Sequence, residues 1–491
     1  MRSARSRPAA AAALCATLGL ALLTGCTNLA PDFERPPAPV PSAWSRTGSP
    51  PTDTTAAADI DWRAFILDER LRQAVQMSLQ NNRDLRVAVL NIERSRALYR
   101  IERSAALPEL GAQASRSQQR SPGIASAGGQ GSTSTLYSVE MGLSRYEIDF
   151  FGRIRNLGDA ALESFFAVQE NRRALQISLV ADVCRAWLVL AADRAHLQLA
   201  RDTLASQQAS HELTRRTHDL GGTSGLVLAQ AQTTVDAARI EVARLSTQVT
   251  LDRHALDLLV GAALADALLP GPGTTGSAAD ADRAASLLVE VPAGLPSELL
   301  QRRPDVLAAE HLLRAANADI GAARAALFPS ISLTGAAGTQ SRSLAGLFSA
   351  GSLAWNFVPQ IDLPIFDSGR RQANLQVSEA QQAIEVARYE AALQVAFREV
   401  ADALGEREWL AERLASQTSL TEATARVHAL STASFRNGAV SYLDVLDAQR
   451  SLYAAQQNSI TLRLVEQVNR IALYRALGGG WSERDSNGLP R

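Results

Sequence analysis

Residues Asp84–Pro108 read DLRVAVLNIERSRALYRIERSAALP, and residues Asp305–Pro329 read DVLAAEHLLRAANADIGAARAALFP. Both spans cover 24 steps from an Asp to a Pro. Further on, Phe151-Gly152-Arg153 answers Ser368-Gly369-Arg370, and from there a constant offset of 217 holds. It pairs Gly221 with Gly438, Ser224 with Ser441, Ala231-Gln232 with Ala448-Gln449, and Gly261 with Gly478. Punctuation residues kept in register over more than 100 positions mark a tandem duplication. The first copy spans 84–261 and the second 304–478.

Each copy carries the same order of elements: a helix that ends at the Leu-Pro or Phe-Pro step, two short strands, a very long helix, a Gly-marked turn and a return helix. Asp159 to Leu220 holds no Gly or Pro across 62 residues, a span of ~93 Å if helical. Leu226 to Val260 returns without a break. In the second copy only Gly405 interrupts Arg370 to Asn437, and Ala439 to Leu477 returns. Typical globular helices run to about 11–12 residues, so helices this long need a coiled-coil-like partner surface. The seams supply one. Ile177, Val180, Cys184, Trp187 and Ala191 follow 3-4-3-4 spacing, as do Val445, Ala448, Leu452, Ala455 and Ser459.

A plain coiled-coil scaffold would explain the helices equally well; the strands argue for more. Trp355 to Leu363 and Tyr137 to Ser144 alternate apolar and mostly polar residues, and Ile331 to Thr334 and Leu110 to Ser115 are shorter examples. Such alternation fits a half-buried sheet or a transmembrane barrel strand. Past the N-terminal segment no run of 18 or more apolar residues occurs, so a membrane crossing requires a closed barrel. Four strands cannot close. Two copies would give eight, with an interior filled by side chains, and three would give twelve, with room for a lumen. The expected fold is therefore mainly α with a transmembrane β-barrel.

Residues 1–25 have the form of a targeting segment, with Arg2, Arg5 and Arg7 ahead of an apolar stretch from Ala9 to Leu23. It closes on Leu23-Thr24-Gly25-Cys26, which resembles a bacterial lipobox and implies acylation of Cys26; Thr27 resembles the context that routes lipoproteins to the outer membrane. Residues 26–58, with seven prolines between Pro31 and Pro51, read as an extended lipid-anchored tether. Residues 59–83 and 262–303 flank the first copy, and 479–491 form a tail. Cys184 then has no disulfide partner and reads as a small core residue. The formal net charge is -1 over 491 residues, which gives no bulk field for nucleic acid.

These residues resemble the TolC-like outer-membrane efflux proteins, in their NodT- and OprM-type lipoprotein branch. The most specific piece is Gly294 to Leu333, GLPSELLQRRPDVLAAEHLLRAANADIGAARAALFPSISL. Pro31-Asp32-Phe33, Leu79 to Leu85 and Val440 to Arg450 fit as well, and the likeness covers essentially the whole chain after residue 25. It implies a trimer, with a twelve-stranded barrel on a twelve-helix tunnel. An equatorial belt would form from 59–83, 262–303 and the C-terminal end. It also implies a periplasmic membrane-fusion adaptor, an inner-membrane transporter of the RND type, and passive export of drugs and toxic compounds from the Gram-negative outer membrane. A type I protein-secretion duct shares this fold. A lipid-anchored periplasmic scaffold without a pore is the reading from another class.

The candidate functional residues lie at the two Gly turns. Leu220-Gly221-Gly222-Thr223-Ser224 and Asn437-Gly438-Ala439-Val440-Ser441 are expected at the tips, because glycine makes a positive φ cheap where a helix reverses. The resemblance implies that Gly221, Gly222, Thr223, Ser224, Gly438, Ala439, Val440 and Ser441 meet the adaptor. Asp444 and Asp447 stand three apart on one helix face, and threefold symmetry would make each a ring of carboxylates. In the family, matching acids line the entrance constriction. Some relatives close this tip with a Tyr and an Arg, where Phe435 and Val440 stand here.

No catalytic constellation, metal-ligand cluster or cofactor motif is legible. Gly271 to Gly276 satisfies G-x-G-x-x-G, but no strand precedes it and no βαβ pattern surrounds it. His211-Glu212 lacks the second His of a zinc protease. Arg302-Arg303, ahead of a Pro-started helix, reads as a surface or belt feature.

Overall fold

The computed structural model describes residues 27–41, 60–122, 131–271, 287–291 and 302–479. The targeting segment, Cys26, most of the Gly271–Gly276 linker and the tail beyond 479 lie outside them. In chain order the helices and strands are α1 (Glu69–Asn81), α2 (Arg83–Ser104), β1 (Leu110–Ser121), β2 (Ser132–Ile148), α3 (Arg153–Asp219) and α4 (Gly225–Val260). The second copy brings α5 (Pro304–Ala325), β3 (Ser330–Ser341), β4 (Leu353–Asp362), α6 (Arg370–Arg436) and α7 (Tyr442–Ala476). The duplicated order is intact, and α3 and α6 each run for 67 residues. Helix α6 passes through Gly405 without a break, since a lone glycine costs a helix only about 1 kcal/mol. The chain divides into two compact units, one of residues 1–36, 92–168 and 309–389, the other of 37–91, 169–308 and 390–491.

The first unit holds a four-stranded antiparallel sheet in the order β1-β2-β3-β4. All four expected strands are present, and β1, β2 and β3 run well past the stretches of clean alternation. Register lines up alternating rows across the sheet. Ala112, Met141, Ala337 and Trp355 form one row, and Leu110, Leu143, Gly335 and Phe357 another. Between them lies Gly111-Gly142-Ala336-Asn356, and beyond them Gln113-Glu140-Gly338-Ala354 and Ser115-Ser138-Gln340. Over these rows one face is apolar and the other mostly polar, and past Ala114 the apolar-face positions of β1 turn to Arg116, Gln118 and Arg120. A bulge in β2 between Leu143 and Tyr146, with Arg145 at φ 44°, returns Tyr146 and Ile148 to the apolar face.

Large apolar side chains of the sheet stand exposed. Trp355 is 75% and Met141 63% exposed on the apolar face, whereas Ser138 on the polar face is 9% exposed. Among the described residues, β1 and β4 have no strand on their outer sides. The same unit binds the first residues after position 26. Asn28 Oδ1 accepts from Asn156 Nδ2 at 2.8 Å, Pro31 O accepts from Asn317 Nδ2 at 2.8 Å, and Arg35 Nη2 donates to Glu310 at 3.0 Å. The Arg314 guanidinium lies 4.7 Å from the Phe33 ring. Residues 28–35 are thus an extended strap laid antiparallel along α5, while 42–58 of the expected tether lie outside the described residues. Gly321 makes room for the strap, since a Cβ there would sit 2.8 Å from Ala30.

The second unit packs the long helices. Every residue of the first predicted seam, Ile177, Val180, Cys184, Trp187 and Ala191, is buried. In the second seam Val445, Ala448 and Ala455 are buried, while Leu452 and Ser459 are intermediate. One stretch of α3 is apolar enough by composition to cross a membrane, but 61% of it is buried within the chain, as a core helix would be. Around this core, Ile66 bridges Leu288, Phe65 stacks on Tyr474 at 3.9 Å, and Trp187 Nε1 donates to Leu268 O at 3.1 Å.

Arg303 is no surface feature. Its side chain is 9% exposed, and it pairs with Asp305 at 2.7 Å and Glu399 at 2.9 Å. It also donates to Ala476 O, a carbonyl in the last turn of α7, at 2.8 Å. The sequence placed it next to Pro304 but held no sign of its acid from α6 or its carbonyl from α7.

Candidate functional site

Both helix reversals close in the same way. At the end of α3, Gly221 N donates to His218 O and Gly222 N to Thr217 O, each at 2.8 Å. At the end of α6, Gly438 N donates to Phe435 O and Ala439 N to Ser434 O, each at 2.9 Å. These are paired Schellman bonds, which satisfy carbonyls that the helix end leaves open. They require a left-handed residue, and Gly221 and Gly438 supply it at φ 75° and 74°. Gly261 and Gly478, also related by the repeat, have φ 75° and 76°.

The return helices begin on serine N-caps, again in pairs. Ser224 Oγ accepts from Val227 N at 3.5 Å, and Ser441 Oγ accepts from Asp444 N at 3.4 Å. The second cap is fuller, because Ser441 N and Oγ donate to Asp444 Oδ2 at 2.9 and 2.7 Å. Ser441-Tyr442-Leu443-Asp444 is thus a capping box. The Ser-x-x-Asp spacing that announces it stands in the sequence and was there to be read. The Ser441 hydroxyl and N–H hold the Asp444 carboxyl below the ordinary carboxylate range. Any stability from that shift is present above the usual Asp pKa and is lost as pH falls through the lowered one.

Asp444 and Asp447 are both exposed on α7, while Val445, Leu446 and Ala448 on its other side are buried. Asp447 has only a loose partner in Arg450, 3.7 Å away. The two acids therefore share a solvent face but differ in engagement, one bound into a cap and one only loosely paired.

The tips themselves are unlike. His218 Nδ1 donates to Thr223 O at 3.0 Å and clasps the first turn. At the repeat-related place stands Phe435, whose ring packs 5.4 Å from Tyr442. Tyr442 with Leu446 packs against Ala231 and Val227, and its hydroxyl lies 3.3 Å from Ser210 Oγ, so the second hairpin is seated on the first. Leu220, Leu226 and Leu443 are left exposed at the turns. Phe435 thus serves an aromatic contact.

The repeated glycines separate backbone strain from packing. Gly438→Ala is expected to cost about 1–2 kcal/mol through φ alone, since nothing lies within 4 Å of an added Cβ. Gly261→Ala meets the same φ penalty and also puts its Cβ 2.5 Å from Asn81 O. Thermal denaturation followed by circular dichroism should show the larger loss for Gly261→Ala. Equal losses would mean that the contact with Asn81 yields easily.

The chain matches the family model described as outer membrane efflux protein over residues 74–262 and 295–479. It is 44% identical over 467 residues to the probable efflux pump outer membrane protein TtgC of Pseudomonas putida, covering 94% of both chains. The fold is similar to a crystal structure of a membrane protein from Pseudomonas aeruginosa, with a TM-score of 0.84 and 40% identity over 92% of this chain and 100% of that one. It is also similar to the open state of the MtrE outer membrane channel of Neisseria gonorrhoeae, with a TM-score of 0.82 and 34% identity over 92% of this chain and 98% of that one.

Proposed function

Since the chain belongs to the outer membrane efflux protein family, we propose that three copies of it form the outer-membrane duct of a tripartite efflux system. The observation that carries this reading is the sheet. It exposes Met141, Trp355 and Ile361 on one face, keeps amides and hydroxyls on the other, and leaves β1 and β4 unpaired at its edges among the described residues. An apolar face so exposed fits lipid, a polar face fits a wet lumen, and three four-stranded sheets give the twelve strands that a lumen needs. The helical hairpins would extend the duct into the periplasm.

In this reading the chain does no chemistry. Energy comes from an inner-membrane transporter of the RND type, reached through a periplasmic adaptor. The adaptor would meet the tips at Gly221–Ser224 and Gly438–Ser441, where exposed Leu220, Leu226 and Leu443 offer apolar contact. Cys26 would carry the lipid anchor two residues before Asn28, the first side chain of the docked strap. Asp444 and Asp447 would form the carboxylate rings of the narrow end, with Asp447 as the freer charge.

Negative-stain electron microscopy of the protein extracted in mild detergent tests the assembly. A threefold particle with a detergent belt at one end is expected. Monomeric particles or thin rods without a belt would overturn the channel and favour a scaffold. The rings are tested separately. Asp444→Ala with Asp447→Ala should lower the cation preference of single channels in planar bilayers, and unchanged selectivity would remove both acids from that role.

A further inference from the structure

The polar face of the sheet carries a charge that the tips do not explain. From the free ends of the strands down to the junction-side acids Glu147 and Asp362, Glu140 on β2 is the only ionisable side chain in the paired polar rows among the described residues. Its cross-strand neighbours there are Gln113 on one side and Gly338 on the other. Glycine at 338 has a reason of its own, since an added Cβ would sit 2.1 Å from Val139 O. It also leaves the space beside Glu140 open, and Gln340 reaches across to donate from Nε2 to Glu140 Oε1 at 3.1 Å. The carboxylate is held by a neutral amide. By contrast Glu147, nearer the helices, is neutralised by two bonds from Arg153 at 2.9 and 2.7 Å.

We infer that Glu140 is a specificity-determining residue, which in the assembled barrel forms a mid-wall ring of three carboxylates that favours cationic solutes. This rests on the three-copy reading above. Charged rings select by field even where the pore is wide, with a reach set by screening. Twelve tilted strands at ~4.8 Å spacing give a barrel ~25 Å across, so the axis lies roughly one screening length from the ring at 0.15 M salt. The bias there is about twofold for a monovalent cation, and about fivefold at 0.01 M. Glu140 is therefore a weak filter at the axis and a stronger one along the wall. Amphiphilic cations, which travel along a wall, are the cargo class it suits.

The test must report the barrel and not the tip, where the constriction would dominate ionic current. Gln113→Cys places a thiol in the same polar row as Glu140, on an exposed β1 residue. Cys184, the free cysteine among the described residues, is buried and gives little background. The protein is held in outer-membrane vesicles, and second-order rates are measured for a cationic and an anionic methanethiosulfonate of matched size. With Glu140 present the ratio of cationic to anionic rates should exceed the intrinsic ratio of the reagents about 3–5-fold at 0.15 M salt, rising to roughly 30-fold at 0.01 M. Glu140→Gln should bring both ratios to the intrinsic ratio of the two reagents. Ratios that Glu140→Gln leaves unchanged would overturn the inference while leaving the channel intact. If neither reagent reaches the thiol of Gln113→Cys in vesicles, yet both reach it in denaturant, the water-filled lumen itself would be overturned.

Discussion

Met141→Arg is expected to remove most of the protein from the outer membrane, whereas Gln113→Arg leaves insertion and assembly near normal. The two positions are one row apart on adjacent strands but on opposite faces, since Met141 lies in register with Ala112 and Gln113 with Glu140. One apolar row flanks Met141 on either side, through Leu143 and Val139, and the row of Arg116 and Tyr137 lies next beyond Val139. An arginine facing lipid near the midplane costs about 2–4 kcal/mol. At Met141, off the midplane, about 1–2 kcal/mol per copy gives roughly 3–6 kcal/mol per assembly of three, a large part of the usual margin of about 5–15 kcal/mol. On the polar face the same guanidinium meets water and stands beside Glu140. Membrane fractionation and electrophoresis of unboiled samples would separate the two. Normal insertion of Met141→Arg together with failure of Gln113→Arg would show that the faces are assigned backwards.

The second large effect is expected at Arg303. Arg303→Ala leaves the Ala476 carbonyl without its donor and leaves Glu399 only its longer pair with Arg475 at 3.9 Å. Breaking a fully buried ion pair from one side costs about 3–5 kcal/mol, and a loss of about 2–3 kcal/mol is expected here because Glu399 is 27% exposed and keeps Arg475. Burial works against the Arg303 charge, but Asp305 and Glu399 outweigh it and hold its pKa above the usual arginine value. Arg303→Lys should recover only part of the loss, since an ammonium cannot reproduce the planar fork that serves the acids and the carbonyl together. The expected readout is a much lower thermal midpoint in detergent, with protease cutting first near the end of α7. A midpoint within a degree or two of the parent would mean that solvent reaches Glu399 and compensates for its lost partner.

Much of the architecture was legible because its determinants are local and repeated. The glycines at 221, 261, 438 and 478 needed no tertiary information, since reversal of a helix demands a left-handed residue wherever it occurs. The seam from Ile177 to Ala191 was legible for a related reason, because helical geometry alone decides which residues share a stripe. The capping box at Ser441 and Asp444 is equally local, yet the same acid also fits a ring on the helix face. Asp444 reads as a free carboxylate in the sequence and proves to be committed to a helix cap.

Other features could not be read from any window of sequence. Arg303 read only as a surface or belt feature, because Glu399 and Ala476 are far away along the chain. The docking of residues 28–35 could not be read, because Asn156, Glu310 and Asn317 hold them only once α3 and α5 are packed. Glu140 looked like one polar residue in an alternating strand until register set it beside Gln113, Gly338 and Gln340.

By itself the sequence determined the duplication, which shows on aligning the two copies, and the long hairpins, their turning points and the alternation of the strands, which depend on residues within a few turns of one another. The tertiary structure alone decided which charges are engaged and which remain available. Asp444 is bound into a cap, Glu147 is neutralised by Arg153, and Arg303 is locked between helices, while Glu140 and Asp447 keep their charge open to solution. A charge acts through its surroundings, and here those surroundings come from segments that only folding brings together.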